Sequence, residues 1–208
     1  SKIAEKELGM PVVNFGLYAA IGLKPMLELS LGGIGKGDIV VIAPEYDAQM
    51  YSDFVGYESL LKAAESDAGI ITSLGVGCAS GFLSHLTSHI AAKRSLAASP
   101  PEATGVYSLG AFDKYGDIVY ERQSNIMDDG VSANNLPMID ASIVTDSFAE
   151  MINRYVKRAN RRGATVYFGF APVNRLAAEK TETDAEGFVA ALDGKLACKV
   201  IQSLDQHI

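Results

Sequence analysis

Two largely apolar runs stand out along the chain, Ile39-Val40-Val41-Ile42-Ala43 and Ala164 to Phe170. The first follows Gly37-Asp38 and the second follows Gly163, and each leads into Ala-Pro, at Ala43-Pro44 and Ala171-Pro172. Runs without strict alternation predict strands buried on both faces, as parallel sheets require. A proline at such an end removes a ladder donor and turns the chain off the sheet, so both ends point to one edge. Pro11 to Phe15 predicts a shorter strand that ends in Asn14-Phe15-Gly16. Between it and Ile39, the residues Leu17, Ile21, Leu23, Leu27 and Leu31 recur about every four positions. That spacing predicts a helix over Leu17 to Leu31, with Pro25 as its break and the glycines from Gly32 to Gly37 opening the turn beyond. Pro11 to Tyr46 therefore reads as a βαβ unit. In open α/β sheets ligands bind outside the carboxyl ends of the strands, which gathers Asn14, Gly16, Glu45 and Tyr46 on that edge.

The remaining periodicities fill out an α/β chain. Ser1 to Leu8 reads as the tail of a short helix stopped by Gly9. Ile143 to Asn160 is a helix closed by Arg161-Arg162-Gly163, Glu179 to Leu192 a further helix, and Leu196 to Leu204 a final short strand. Tyr51 to Asn135 is less regular. It holds helices over Ser52 to Ala64 and Ser80 to Leu96, a linker at Ser99-Pro100-Pro101, and a strand or hairpin arm at Tyr115 to Tyr120. It reads as a helical insertion within a single domain spanning residues 1–208, and connections of this length are usually lids or subdomains.

Composition narrows the function. A net charge of −7 argues against a nucleic-acid partner, since phosphate binding rests on clustered Lys and Arg. The one basic cluster, Arg154 to Arg162, reads as a solvated helix face. Cys78 and Cys198 have no metal or redox spacing and read as idle thiols. Ala68 to Ala92 carries no formal charge over 25 residues, a length that spans a bilayer, but its glycines, serines and His85 and His89 favour a loop followed by a half-buried helix. No cofactor is expected: Gly32-Gly33-Ile34-Gly35 follows a helix rather than a strand, which is the wrong place for a dinucleotide loop.

The candidate chemistry lies at the strand ends. The Asn14-Phe15-Gly16 turn would present N–H groups to an anion ahead of a helix N-terminus, or serve as a plain βα turn. Glu45 follows a buried strand at the ligand edge, where partial desolvation raises a carboxyl's pKa, or else it is a surface glutamate. His85 and His89 stand at i, i+4 as paired metal ligands do, without the acid such a site needs. Asp205 and His207 have dyad spacing, with no serine nearby in a context that would activate it.

With Val12-Val13-Asn14-Phe15-Gly16-Leu17-Tyr18-Ala19, Gly37-Asp38-Ile39-Val40-Val41-Ile42-Ala43-Pro44-Glu45-Tyr46 and Gly163-Ala164-Thr165-Val166-Tyr167-Phe168 in this order, the chain resembles the SGNH (GDSL-like) hydrolase superfamily. It is most similar to the bacterial, often envelope-associated branch whose third strand ends in Pro-Glu-Tyr. The resemblance implies a flavodoxin-like three-layer α/β/α sandwich with a mostly parallel sheet, and an esterase or acyltransferase acting on small or glycan acyl esters. It implies a second-strand oxyanion donor near Ala19, shaped by Gly16, with Asn14, Tyr46 and Pro172 lining the substrate. The family's oxyanion Asn falls at Glu45, and an ionised carboxylate cannot donate to an oxyanion. The family's Gly-x-Ser and Asp-x-x-His blocks would fall before Ser1 and after Ile208, so the resemblance implies an internal, incomplete piece, inactive as it stands. The alternative is a non-catalytic α/β module that binds a glycan or a partner protein at the same edge.

Overall fold

A computed structural model describes residues 2–16, 18–74, 79–98, 113, 117, 119, 139–173 and 185–201. The chain divides into two compact units, Ser1–Ile21 with Gly56–Ile126, and Gly22–Val55 with Met127–Ile208. The segment expected as an insertion thus overlaps largely with the first unit.

The second unit is α/β. Its helix α2 (Leu23–Ser30) leads to strand β1 (Ile39–Ile42), α6 (Asp146–Arg161) to β2 (Thr165–Phe168), and α7 (Ala185–Lys195) to β3 (Lys199–Val200). The strands form a parallel sheet in the order β1-β2-β3, with Ile39 opposite Thr165, Ile42 opposite Phe168, and Phe168 opposite Val200. α6 forms because Phe148, Met151, Ile152, Tyr155, Val156 and Ala159 recur at helical spacing and all face inward. Its start is fixed by Thr145, whose side chain accepts from the Phe148 N–H at 3.2 Å. α6 packs on β2, α2 on α6, and α7 on β3 and α6. Ser30 of α2 donates to the Leu27 carbonyl and accepts from the Tyr155 hydroxyl, both at 2.8 Å, so this buried helix contact leaves no polar group unpaired.

Three expectations need correction here. Pro11 to Phe15 is not a strand: residues 11–16 are irregular, with Val13 and Phe15 exposed, so the βαβ unit lacks its first strand. Apolar β-formers make a strand only when a neighbouring strand pairs with them, and none of the described residues pairs with these. The helix expected over Leu17 to Leu31 breaks at Gly22, not at Pro25. Gly22 sits at φ 85°, ψ 161°, separating a 3₁₀ turn (Ala19–Ile21) from α2, while Pro25 falls in the first turn of α2, where its missing N–H costs nothing. Finally, β1 is not buried on both faces. Ile42 is buried, but Ile39 and Val41 are 57% and 55% exposed. The described helices of this unit cover the face that carries Ile42, Val166 and Phe168.

The first unit holds α1 (Lys2–Leu8), α3 (Tyr57–Ala64), α4 (Gly69–Ser73) and α5 (Ala79–Ala98). Gly9, at φ 65°, ends α1 as expected. α3 packs on α4 and α5. The missing Cβ of Gly81 is what lets the Tyr57 ring lie against α5, since an added Cβ would overlap that ring. Phe82 then meets Tyr57 edge-on, with centroids 5.4 Å apart. α3 begins at Tyr57, later than the Ser52 expected, because Ser52 is held in a turn of its own, donating to the Gln49 carbonyl at 2.7 Å and accepting from the Phe54 N–H at 3.2 Å. No described helix is long and apolar enough to cross a membrane.

Candidate functional site

The carboxyl ends of β1 and β2 lie side by side, and a single side chain ties them together. Tyr46, four residues beyond the last residue of β1, turns inward and donates its hydroxyl to the Ala171 carbonyl at 2.7 Å. Its ring meets Phe188 of α7 edge-on, with centroids 6.0 Å apart. Burial pushes the Tyr46 phenol up to about 12, so it stays protonated and remains a donor through the whole neutral range. The expected substrate contact is therefore a buried clasp between two strand ends. The two flanking candidates, Glu45 and Pro172, are exposed on either side of it. Glu45 thus lacks the partial desolvation expected from its place in the sequence.

Behind the clasp lies an aromatic cluster that sequence reasoning did not assemble. Tyr51 stacks against Phe148 at 4.7 Å and packs against Phe188 at 5.7 Å, while Phe148 meets Phe168 edge-on at 6.2 Å. Tyr51 is 2% exposed, and its hydroxyl has no hydrogen-bond partner among the described residues. Burial first, then electrostatic coupling to Tyr46 and the nearby Asp47, pushes its phenol up. A buried hydroxyl left unpaired costs on the order of 1–3 kcal/mol. Tyr51→Phe, which removes the hydroxyl and keeps the ring, is therefore expected to stabilise the protein by about 1 kcal/mol in urea denaturation. A loss of stability would show that the hydroxyl has a partner. The Tyr46–Tyr51 spacing alone carries no signal of this cluster. Phe148 and Phe188 were legible only as members of helices.

Asn14, Gly16 and Ala19 belong to the other unit. Asn14 accepts from the Gly16 N–H through its own Oδ1 at 2.8 Å, so this donor is already engaged within the turn. Ala19 is exposed and opens the 3₁₀ turn that runs to Ile21. The paired histidines of α5 serve packing. His85 stacks on Tyr57 with centroids 5.0 Å apart and donates from Nδ1 to the Gly81 carbonyl at 2.9 Å. His89 donates from Nε2 to Glu65 at 2.8 Å, beside Lys93, which reaches the same carboxylate at 2.6 Å. The Lys93 hydrogen bond, with His89 adding to it, holds Glu65 below the usual carboxylate range. Among the described residues, no group of three or more metal-ligating side chains converges. Cys198 is buried, which pushes its thiol up and suits the idle role expected of it. Cys78, Asp205 and His207, the linker at Ser99-Pro100-Pro101 and most of Tyr115 to Tyr120 lie outside the described residues.

Among the described residues, the β1–β2 edge can therefore present the Glu45 carboxylate and the Pro172 ring on a support fixed by the Tyr46–Ala171 hydrogen bond. As an ionised group Glu45 accepts hydrogen bonds only, which suits the hydroxyls of a ligand rather than a developing oxyanion. Comparison with protein-family models, with curated proteins and with solved structures gives no match to this chain.

Proposed function

We propose that the chain contributes the strand-edge site of an SGNH-like esterase or acyltransferase, holding a small or glycan-borne acyl ester at the C-terminal edge of its parallel sheet. In this reading the sheet belongs to a flavodoxin-like three-layer sandwich. The observation that supports it best is the Tyr46–Ala171 hydrogen bond, which fixes two adjacent strand ends at the edge where α/β proteins bind ligands. Exposed Glu45 accepts from the hydroxyls of a carbohydrate, and the ring of Pro172 offers the apolar surface beside it. A second reading, a non-catalytic α/β module that binds a glycan or a partner protein at the same edge, is favoured by one observation. Both described histidines are engaged by neighbours, His85 stacked on Tyr57 and His89 hydrogen-bonded to Glu65.

One pair of measurements separates the two. Binding of an O-acetylated oligosaccharide is followed through the NMR signals of Glu45, Tyr46 and Ala171, and turnover through p-nitrophenyl acetate. Glu45→Gln leaves the exposed site folded but removes charge-assisted hydrogen bonds, and is expected to weaken binding about tenfold or more. Binding, together with turnover by a longer polypeptide that carries this chain between a Gly-x-Ser and an Asp-x-x-His block, supports the enzyme, and binding with no turnover by such a polypeptide supports the module. Absence of both, or equal binding by Glu45→Gln, counts against a ligand edge at β1–β2.

A further inference from the structure

Helix α6 and its C-cap residue Arg162 together carry five cations, Arg154, Lys157, Arg158, Arg161 and Arg162, in a chain of net charge −7. Two of the five are engaged by acids. Arg158 forks onto both oxygens of Glu28 at 2.5 and 2.6 Å, and Arg154 reaches Glu150 at 3.8 Å. Lys157 and Arg161 have no ion pair among the described residues. They stand at i, i+4 and so are surface neighbours roughly 6 Å apart at Cβ. Both line a groove of about 610 Å³ between α6 and the loop that joins α7 to β3. That volume is in the range of sites for small ligands, roughly 300–1,000 Å³.

The rest of the groove is built to match. Its far wall is held by Asn153, which donates from Nδ2 to the Lys195 carbonyl at 2.9 Å and accepts from the Ala197 N–H at 2.6 Å. Buried Val156 and exposed Ala197 supply apolar surface, and Asn160 supplies a side-chain amide. None of the six lining residues is acidic, although acids outnumber bases in this chain. A carboxylate ligand would occupy one guanidinium. Two adjacent cations with a neighbouring amide donor instead match the three terminal oxygens of a phosphate. We propose that this groove binds a phosphate monoester, its phosphate held by Lys157, Arg161 and the Asn160 amide, with the organic part resting on Val156 and Ala197. This site involves neither Glu45 nor the strand edge, so it stands or falls independently of the function proposed above.

The test is an NMR titration of the whole chain, read at the Asn160 side-chain amide and the Ala197 N–H, with glucose 6-phosphate, inorganic phosphate, and chloride at matched ionic strength. Saturable shifts with the phosphates but not with chloride are expected, since screening alone acts equally for all salts. The double variant Lys157→Gln/Arg161→Gln, both positions exposed, is expected to raise the apparent Kd about tenfold or more, and Arg154→Gln to leave it unchanged. Should the double variant melt early by circular dichroism, Arg161→Lys keeps the charge and loses the bidentate fork, and is expected to bind several-fold more weakly. Co-sedimentation with phosphatidylcholine vesicles containing phosphatidylglycerol, dependent on the same two residues, would place the phosphate on a lipid. Binding of glucose 6-phosphate without vesicle binding would place it on a soluble sugar. Shifts that chloride reproduces, or that persist undiminished in the double variant, overturn the site.

Discussion

Phe168→Ala is expected to cost about 3–5 kcal/mol of stability, the range for emptying a phenylalanine from a core. Phe168 is fully buried at the end of β2, in register with Ile42 on one side and Val200 on the other, and its ring takes the edge-on contact with Phe148 of α6. The cavity would open where the sheet meets the helix, next to Tyr51 and its aromatic neighbours, and rigid strands on both sides limit collapse into it. Domains are stable by only about 5–15 kcal/mol, so the variant would lose much of its margin. The chain has no tryptophan, and tyrosine fluorescence in a urea titration therefore reports the change. Ala171 lies three residues beyond Phe168, so the Tyr46–Ala171 clasp is expected to loosen as well, seen as broadening of the Tyr46 ring signals. A loss below about 1 kcal/mol would mean that the sheet does not pack on α6 in this way.

Gly22→Ala is expected to be nearly as damaging, by a different route. At φ 85°, ψ 161° the backbone of Gly22 occupies a region essentially reserved for glycine, where a side chain costs on the order of 1–3 kcal/mol. An added Cβ would also lie 2.5 Å from the carbonyl oxygen of Phe54, a backbone atom that cannot swing aside as a side chain would. The two costs together are expected to reach about 3 kcal/mol or more, measured by the same titration. Gly33→Ala is the matched control, because a Cβ there meets nothing within 4 Å and no positive φ is involved. If both variants unfold alike, the stop at Gly22 is not what separates the 3₁₀ turn from α2.

These two positions show where the sequence was legible. The strands ending in Ala43-Pro44 and Ala171-Pro172 were readable because an apolar run closed by proline has few alternatives. α6 was readable because seven inward positions repeat at one period, and its polar face is as clear as its buried one. The break at Gly22 was hidden because the apolar stripe runs through it. Ile21, Leu23 and Leu27 are all buried, so burial carries the pattern across a change in backbone that periodicity does not register. Pro11 to Phe15 failed for the opposite reason. Its residues favour a strand, but pairing is a property of the neighbour, and sequence spacing does not supply one. The direction in which Tyr46 turns at the strand edge is not legible, since a tyrosine that lines a ligand and one that clasps a backbone carbonyl share the same sequence context. In the sequence Lys157 and Arg161 read as part of one solvated helix face. Only coordinates distinguish Lys157 and Arg161, which have no ion pair among the described residues, from Arg154 and Arg158, which are engaged by acids.

The parallel pairing of β1 with β2 also bears on how the protein is born. β1 leaves the ribosome well before its partner strand, with the whole of Gly56–Ile126 synthesised in between. During that interval the backbone of Ile39–Ile42 has no ladder to join, and its β-branched side chains stay open to other nascent chains. The first unit already holds all of its own chain when residue 126 emerges, whereas the second must wait for Thr165–Phe168 to close its sheet. A holdase that shields short aliphatic stretches is thus expected to engage the growing polypeptide at β1 and to release it only after β2 appears.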